Sequence, residues 1–283
     1  MEHLDFVFQI DSDIVKEIYN EADNYLIEYS DTGERNVCAI YFSSNGIYFP
    51  NTEEELVKRI VNLNFFEWYN TRIKRASKHI FVRDIFKQWY LAGINADIDS
   101  PTKLVEFLKE ETAGYEEIIT IGGSAGGYAA ILYGSLINAN VAYSFNPQFE
   151  IFSLLRKSNE LIDPLIFRLY EQRNQYYDIR PFINKNLQII YFYSIKSQWD
   201  IEQRNHIGDL PNLYRIPFAS KHHGIPFPKV AMSHVLNSNL ESLQGHVGQI
   251  QNPICFTIRE VGFFSTCKGL ALQIFKVLKK KLS

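Results

Sequence analysis

The sequence has 283 residues, of which 46% are hydrophobic and 22% charged, as is typical of a globular protein with a sizeable buried core. Its formal net charge of −3 at pH 7 gives no basic excess, so nucleic acid is not an expected partner. Cys38, Cys255 and Cys267 form neither a disulfide framework nor a metal motif, which favours a reducing, cytoplasmic location. Residues 1–5 lack the pattern of a secretory signal, and without a run of about 18 apolar residues we expect no transmembrane helix.

Strand-like segments alternate with helical or loop segments along most of the chain. Seven segments rich in β-forming residues are predicted strands, at 24–30, 36–42, 78–82, 117–121, 140–145, 187–193 and 212–217. Strands that alternate with helices predict an α/β fold, here a three-layer sandwich with a mainly parallel sheet in one domain spanning residues 1–283. The carboxyl ends of parallel strands share one edge of the sheet, where active sites form.

We predict one exception to the parallel arrangement, which involves the N-terminal strands within residues 1–35. A turn signal, Asp31-Thr32-Gly33, separates the first two strands, which indicates an antiparallel N-terminal hairpin. Further along, helices are predicted from residue 51, over 101–109 and over 127–136.

Two later segments have two interpretations each. Residues 150–181 are apolar and irregular, and they either form a cap over the active-site edge or pack on the sheet as ordinary helices. Residues 266–283 have the spacing of an amphipathic helix, with Lys279-Lys280-Lys281 near the end. This helix either docks on the core or makes a weak peripheral contact with an anionic membrane.

The stretch Gly122-Gly123-Ser124-Ala125-Gly126 matches G-x-S-x-G, and it lies between an apolar strand and a small-residue helix. Small neighbours let the chain turn sharply there and present the hydroxyl of Ser124 to the cleft beside a helix N-terminus. Ser124 is therefore the predicted nucleophile. A phosphate-binding turn is disfavoured because the G-x-G-x-x-G spacing and a P-loop lysine are absent, and a plain helix N-cap is the other alternative.

A nucleophilic serine needs an acid and a base that follow it in the order Ser, acid, His. Asp200 comes shortly after the predicted strand 187–193 and is our candidate acid, although it could also cap a helix that begins at Ile201. Glu202 and Asp209 are weaker candidates for the same role.

The base is expected in the loop after the last strand, where two histidines are adjacent. We favour His223, which precedes Gly224, and keep His222 as the alternative. The pair could also bind a metal, but no third ligand is grouped with it, so no metal is predicted. No residue is assigned to cofactor binding.

An oxyanion hole requires two hydrogen-bond donors near the nucleophile. The backbone N–H of Ala125, directly after the serine, is the first predicted donor. The second is predicted at Ser43 or Ser44, in the polar loop after the strand 36–42, with the Asn45 side chain as a further candidate. A plain turn without catalytic role is the alternative for this loop.

These motifs together resemble a divergent branch of the α/β-hydrolase superfamily that occurs in bacterial capsule and O-antigen polysaccharide biosynthesis. The resemblance covers roughly residues 36–228 and rests on the elbow at Ser124, the Ser-Asp-His order and the loop at 42–46. It implies an α/β-hydrolase-like fold, with the nucleophile at Ser124, the acid at Asp200 and the base at His223.

The resemblance also implies a function, a serine O-acetyltransferase that transfers an acetyl group from acetyl-CoA to a bacterial surface polysaccharide. Two alternatives stay open. The same acyl-enzyme could be resolved by water, which gives an esterase or deacetylase acting on a glycan or a small-molecule ester. The chain could also be an inactive hydrolase-fold partner in glycan assembly or export.

Overall fold

The computed structural model describes residues 6–157 and 174–282. In these parts of the chain, seven strands form one sheet in the order β1-β3-β2-β4-β5-β6-β7. The strands are β1 Tyr25–Tyr29, β2 Glu34–Phe42, β3 Ala76–Val82, β4 Glu117–Gly123, β5 Val141–Phe145, β6 Gln188–Ser194 and β7 Leu213–Phe218. All neighbours from β3 to β7 run parallel, and β1 alone runs antiparallel to its neighbour. The predicted α/β class with a mainly parallel sheet is confirmed.

The antiparallel strand at the N-terminal end is present, but the partner predicted for it is wrong. β1 pairs with β3, with Tyr25 opposite Val82, whereas β2 lies between β3 and β4 and is parallel to both. Burial explains this order: β2 is buried from Val37 to Phe42 and needs neighbours on both sides, while the half-buried β1 suits an edge. The turn at 31–33 therefore carries the chain past β3 instead of closing a hairpin.

Helices cover both faces of the sheet. They are α1 Phe8–Asp11, α2 Asp13–Glu21, α3 Glu53–Leu56, α4 Pro101–Glu111, α5 Ala125–Leu136, α6 Leu154–Lys157, α7 Gln198–Ile207, α8 Met232–Asn237, α9 Leu240–Gln244, α10 Pro253–Val261 and α11 Phe263–Leu282. Alternate residues of β2 enter opposite layers, because successive side chains of a strand point to opposite faces. Cys38 and Ile40 pack in a cluster with α4 and α5, and Val37 and Ala39 pack in a second cluster with α8 and α10.

Most of the segment that we expected either to cap the cleft or to pack on the sheet lies outside the described residues. Its described ends pack on the sheet: Ile151, Tyr177 and Ile179 are buried in the same cluster as α5. In the two described ranges, no helix is both long enough and apolar enough to cross a membrane.

Candidate active site

Ser124 lies at a sharp turn between β4 and α5, with φ of 53° and ψ of −122°. A positive φ is costly for a residue with a side chain, and such strain is found mainly at functional sites. Two glycines make the turn sterically feasible. A Cβ at Gly122 would overlap the carbonyl of Gly126, and a Cβ at Gly126 would overlap the carbonyl of Phe42. The local sequence therefore folds as a nucleophile elbow, as the glycine pattern predicts.

The structure brings Ser124, His223 and Asp200 into one hydrogen-bonded chain. Ser124 Oγ lies 2.9 Å from His223 Nε2, and His223 Nδ1 lies 2.7 Å from Asp200 Oδ1. An ionised carboxylate can only accept a hydrogen bond, so Nδ1 carries the proton and donates it to Asp200. Nε2 of the neutral ring is then an acceptor, directed at the serine hydroxyl. This is the arrangement that a general base for Ser124 requires.

Asp200 is the third residue of α7 and is 1% exposed. The helix begins at Gln198, with Ser197 as its N-cap residue, so the alternative role of Asp200 as the cap of a helix from Ile201 is excluded. A negative charge in the first turn of a helix is favourable because the helix dipole is positive there. Asp200 Oδ2 is buried without a hydrogen-bond partner in the described parts of the chain.

Two side chains that the sequence reasoning missed hold the imidazole in place. The Trp199 ring stacks on His223, with 4.6 Å between ring centroids and 23° between planes. Trp89 Nε1 donates to Gln148 Oε1 at 3.0 Å, which turns Gln148 Nε2 towards His223 Nε2 at 3.4 Å. The position of Trp199 directly before the candidate acid was a usable signal, whereas nothing in the local sequence marks Gln148.

The alternative base and the weaker acids lie apart from this chain. The His222 carbonyl accepts from Ser194 Oγ at 2.6 Å, and its N–H donates to Ser220 Oγ at 3.0 Å. These bonds fix the backbone of His222, while the neighbouring ring is the one that meets Ser124. Glu202 accepts from Gln198 one turn earlier on α7, and Asp209 pairs with Arg215 at the surface.

On the other side of Ser124, the backbone donors predicted in the loop after β2 already have acceptors. Ser43 N–H donates to the Val82 carbonyl at 3.0 Å, as part of the sheet. Ser44 N–H donates to Glu67 Oε2 at 2.6 Å. Ala125 is the first residue of α5, a position whose N–H has no acceptor within a helix. The carboxylate of Glu67 thus takes a donor predicted for the oxyanion, a contact that local sequence does not reveal.

Hydrogen bonds from two buried aromatic side chains fix the segment that carries Glu67 and the end of β2. Trp68 Nε1 donates to the Phe42 carbonyl at 3.0 Å, and Tyr90 Oη donates to the Ser43 carbonyl at 2.8 Å. Tyr90 N–H in turn donates to the buried Asp84 at 2.8 Å, along with two other backbone N–H groups of the same loop. Burial raises the pKa of the Asp84 carboxyl to about 6. The loop around Asp84 therefore holds Tyr90, which in turn fixes the backbone of Ser43.

A cleft of about 830 Å³ opens above Ser124 and His223. Its lining residues are Ser44, Gly46, Glu67, Trp68, Gly123, Ser124, His222, His223, Gly224, Ile225, Phe227, Pro228, Lys229 and Gln273. Among the residues that the structure describes, no group of three His, Cys, Asp or Glu side chains is placed to hold a metal ion. The cleft combines the aromatic side chains of Trp68 and Phe227 with polar and charged side chains, which make up half of its lining residues.

The strand order, the elbow after β4 and the order of Ser124, Asp200 and His223 along the chain define an α/β-hydrolase-like fold. No family model matches the chain, and no curated protein matches it. The similarities that were found are to solved structures of low sequence identity.

The chain is similar to the capsule O-acetyltransferase of Neisseria meningitidis serogroup A, with 11% identity and a TM-score of 0.48 over 66% of this chain and 77% of that one. A mutant of the same enzyme in complex with CoA is 10% identical, with a TM-score of 0.44 over 66% of this chain and 78% of that one. A truncated carbohydrate esterase from gut microbiota gives 10% identity and a TM-score of 0.40, over 75% of this chain and 86% of that one. All three TM-scores are below 0.5, and the fold assignment rests on strand order and the elbow.

Proposed function

We propose that this protein is a serine acyl-transfer enzyme with Ser124 as nucleophile, His223 as general base and Asp200 as the supporting acid. One observation carries the proposal, the chain of two short contacts from Ser124 Oγ through both nitrogens of His223 to Asp200. A serine that only capped a helix would not need this partner. The strained backbone of Ser124 further supports a role in chemistry.

The proposed reaction has two halves. In the first, Ser124 Oγ forms a bond to the carbonyl carbon of an ester or thioester while its proton moves to His223 Nε2. The tetrahedral intermediate then collapses, the bond to the leaving alcohol or thiol breaks, and His223 returns the proton to it. In the second half, an acceptor hydroxyl loses its proton to His223 and attacks the acyl carbon; the bond from that carbon to Ser124 Oγ then breaks, and His223 returns the proton to Oγ. Asp200 orients the ring and stabilises the imidazolium in both halves.

The developing oxyanion would be stabilised by the N–H of Ala125 and, as second donor, by the N–H of Ser44. The Glu67 carboxylate accepts from Ser44 N–H at 2.6 Å, so this donor serves the oxyanion only after Glu67 has released it. The Glu67 side chain is half-buried and lines the cleft, which leaves it room to turn aside when substrate enters.

For the acyl acceptor, we propose the hydroxyl of a bacterial surface polysaccharide, with acetyl-CoA as donor. An open cleft of about 830 Å³ with Trp68 and Phe227 in its walls supports a glycan ligand, because sugar rings pack well on aromatic faces. Lys229 also lines the cleft, and its positive charge supports binding of a CoA phosphate there. We place the reaction in the cytoplasm, where acetyl-CoA is available.

A second candidate, an esterase or deacetylase, is favoured by the exposure of the base. The His223 side chain is 27% exposed, so water can reach the acyl-serine from the cleft. Hydrolysis and transfer use the same covalent intermediate and differ only in which acceptor His223 deprotonates.

One experiment separates these functions. The full chain and its Ser124→Ala variant are incubated with radiolabelled acetyl-CoA, with and without a polysaccharide acceptor, and with p-nitrophenyl acetate. Label on the polymer that is lost in Ser124→Ala supports transfer, and free acetate released irrespective of acceptor supports an esterase. If neither label nor ester cleavage depends on Ser124, the enzymatic proposal is wrong and an inactive partner in glycan assembly becomes the better explanation.

A further inference from the structure

The C-terminal helix α11 exposes large apolar side chains instead of burying them. Phe264 is 88% exposed and Phe275 is 71% exposed, and Phe263, Leu272 and Ile274 are each more than half exposed. Residues 263 and 274, like 264 and 275, are eleven positions apart, which is about three helical turns and puts each pair on one face of the helix. An apolar surface of this kind marks a site of interaction.

The helix touches the body of the protein along a different edge. Thr266 is buried, and Gly269 and Gln273 are half-buried, one turn apart from each other. The contact at Gly269 is close, since a Cβ there would lie 2.6 Å from the Val230 side chain. Small and polar residues therefore form most of this contact, and Leu270 beside them is half-buried. The large apolar side chains at 263, 264, 272, 274 and 275 take no part in it.

The charge of this segment is of one sign. Residues 263–282 include five lysines and no acidic residue, although the whole chain has a net charge of −3. Lys268 is exposed on the described part of the helix. A helix with exposed phenylalanines, lysines and no acidic group is typical of segments that lie in the interface of a bilayer containing anionic lipid.

We propose that α11 binds the surface of an anionic lipid bilayer, with Phe263, Phe264, Ile274 and Phe275 inserted at the boundary between headgroups and acyl chains. Lysines on the same helix attract the lipid phosphates. Charge favours this occupant over a second copy of the chain, because the sequence of the helix has lysines but no acidic residue that could pair with the lysines of a second helix. Gln273 of α11 also lines the active-site cleft, so bound lipid would lie beside the cleft mouth.

The test measures co-sedimentation of the full chain with vesicles of phosphatidylcholine alone or with 30 mol% phosphatidylglycerol, roughly the anionic content at which surface charge attracts basic segments. We expect the protein to bind the anionic vesicles at least about tenfold more tightly than the neutral ones. Binding to the anionic vesicles should weaken as the salt concentration rises from about 0.1 to about 0.5 M. The double variant Phe264→Ser/Phe275→Ser should lose about tenfold or more of this binding.

Phe6→Ser, at an exposed phenylalanine elsewhere in the chain, is the matched control and should bind as wild type does. Circular dichroism checks that each variant is folded. Wild-type protein that stays in the supernatant, or equal binding by the double variant, overturns the proposal. A dimer in light scattering that the double variant dissociates would assign the face to a second copy and would equally overturn it.

Discussion

The two sides of Ser124 differ in how complete they are. On the acid–base side, the hydrogen-bonded chain from Ser124 through His223 to the buried Asp200 is in place, with Trp199 stacked on the ring. On the oxyanion side, the N–H of Ser44 is held by the carboxylate of Glu67. In the proposed mechanism, one side is ready for proton transfer, while the other must give up an internal hydrogen bond before it can accept an oxyanion.

This difference teaches that the two parts of the proposed active site have different structural origins. The acid and base stand just beyond the carboxyl ends of β6 and β7, and a parallel sheet brings such ends to one edge wherever the chain folds in this way. The donor at Ser44 depends on a residue 23 positions away, in a segment that Trp68 fixes to the end of β2. The arrangement of the acid and base therefore follows from the fold, whereas the state of the Ser44 N–H depends on the single contact with Glu67.

The largest effect is expected from the base. His223→Ala should lower kcat with p-nitrophenyl acetate by as much as ~10⁶-fold, since a triad acts as a unit. His222→Ala is the matched control and should keep near wild-type activity, because its ring contacts neither Ser124 nor Asp200 through a hydrogen bond. Equal losses in the two variants would contradict the assignment of His223.

Asp200→Asn should cost ~10⁴-fold in kcat, because the amide NH2 can donate to Nδ1 and favours the tautomer whose protonated Nε2 faces Ser124. Steady-state kinetics measures this, with Asp209→Asn as the control at an acid exposed on the surface. A loss of less than about tenfold would mean that the acid–base side does not depend on its carboxylate.

Glu67→Ala should have the opposite sign, because it frees the N–H of Ser44 for the oxyanion. We expect kcat/KM to rise several-fold, within the ~10²–10³ that one oxyanion donor contributes. Glu54→Ala, at an exposed glutamate in α3, is the control. If activity falls in Glu67→Ala while the thermal midpoint is unchanged, Ser44 is not the second donor and Glu67 itself assists the reaction.

The smallest effect concerns the loop beneath the oxyanion side. The pKa of Asp84 is about 6 in the folded chain against an ordinary value of 3.8, so between these values the folded state holds a proton that the unfolded state has lost. The contribution of Asp84 to stability should thus improve as pH falls from about 7 to about 5. The measurement is the thermal midpoint of wild type and of Asp84→Asn at both pH values. The midpoint of wild type relative to that of the variant should be higher at the lower pH, and a difference that does not change with pH would be evidence against the raised pKa.

The elbow and its partners could be predicted from sequence because each depends on local information. Glycines at 122 and 126 signal a tight turn, and Asp200 and His223 follow strands whose order fixes where they meet. The pairing of β1 with β3 could not be predicted in this way, because a turn signal next to β1 says nothing about a third strand that inserts beside it. Glu67 was missed for the same reason, since its acceptor role exists only across a long-range contact.

The spacing of α11 predicted an amphipathic helix, but not which edge of it the protein covers. The helix has an edge with large apolar side chains, Phe264 and Phe275, and an edge with the small residue Gly269, and either could have packed on the core. Close approach at Gly269 to Val230 decides between them, and such a fit depends on the shape of the surface beneath the helix.

The positive φ of Ser124 makes the proposed nucleophile costly for the stability of the fold. Glycine adopts φ of 53° without steric cost, so Ser124→Gly would relieve strain of order 1–3 kcal/mol while removing the hydroxyl. This gain is offset in part by the greater freedom of glycine in the unfolded chain. Under the proposed mechanism, stability and chemistry therefore compete at this single position, and selection for thermal stability alone would favour a protein without the hydroxyl.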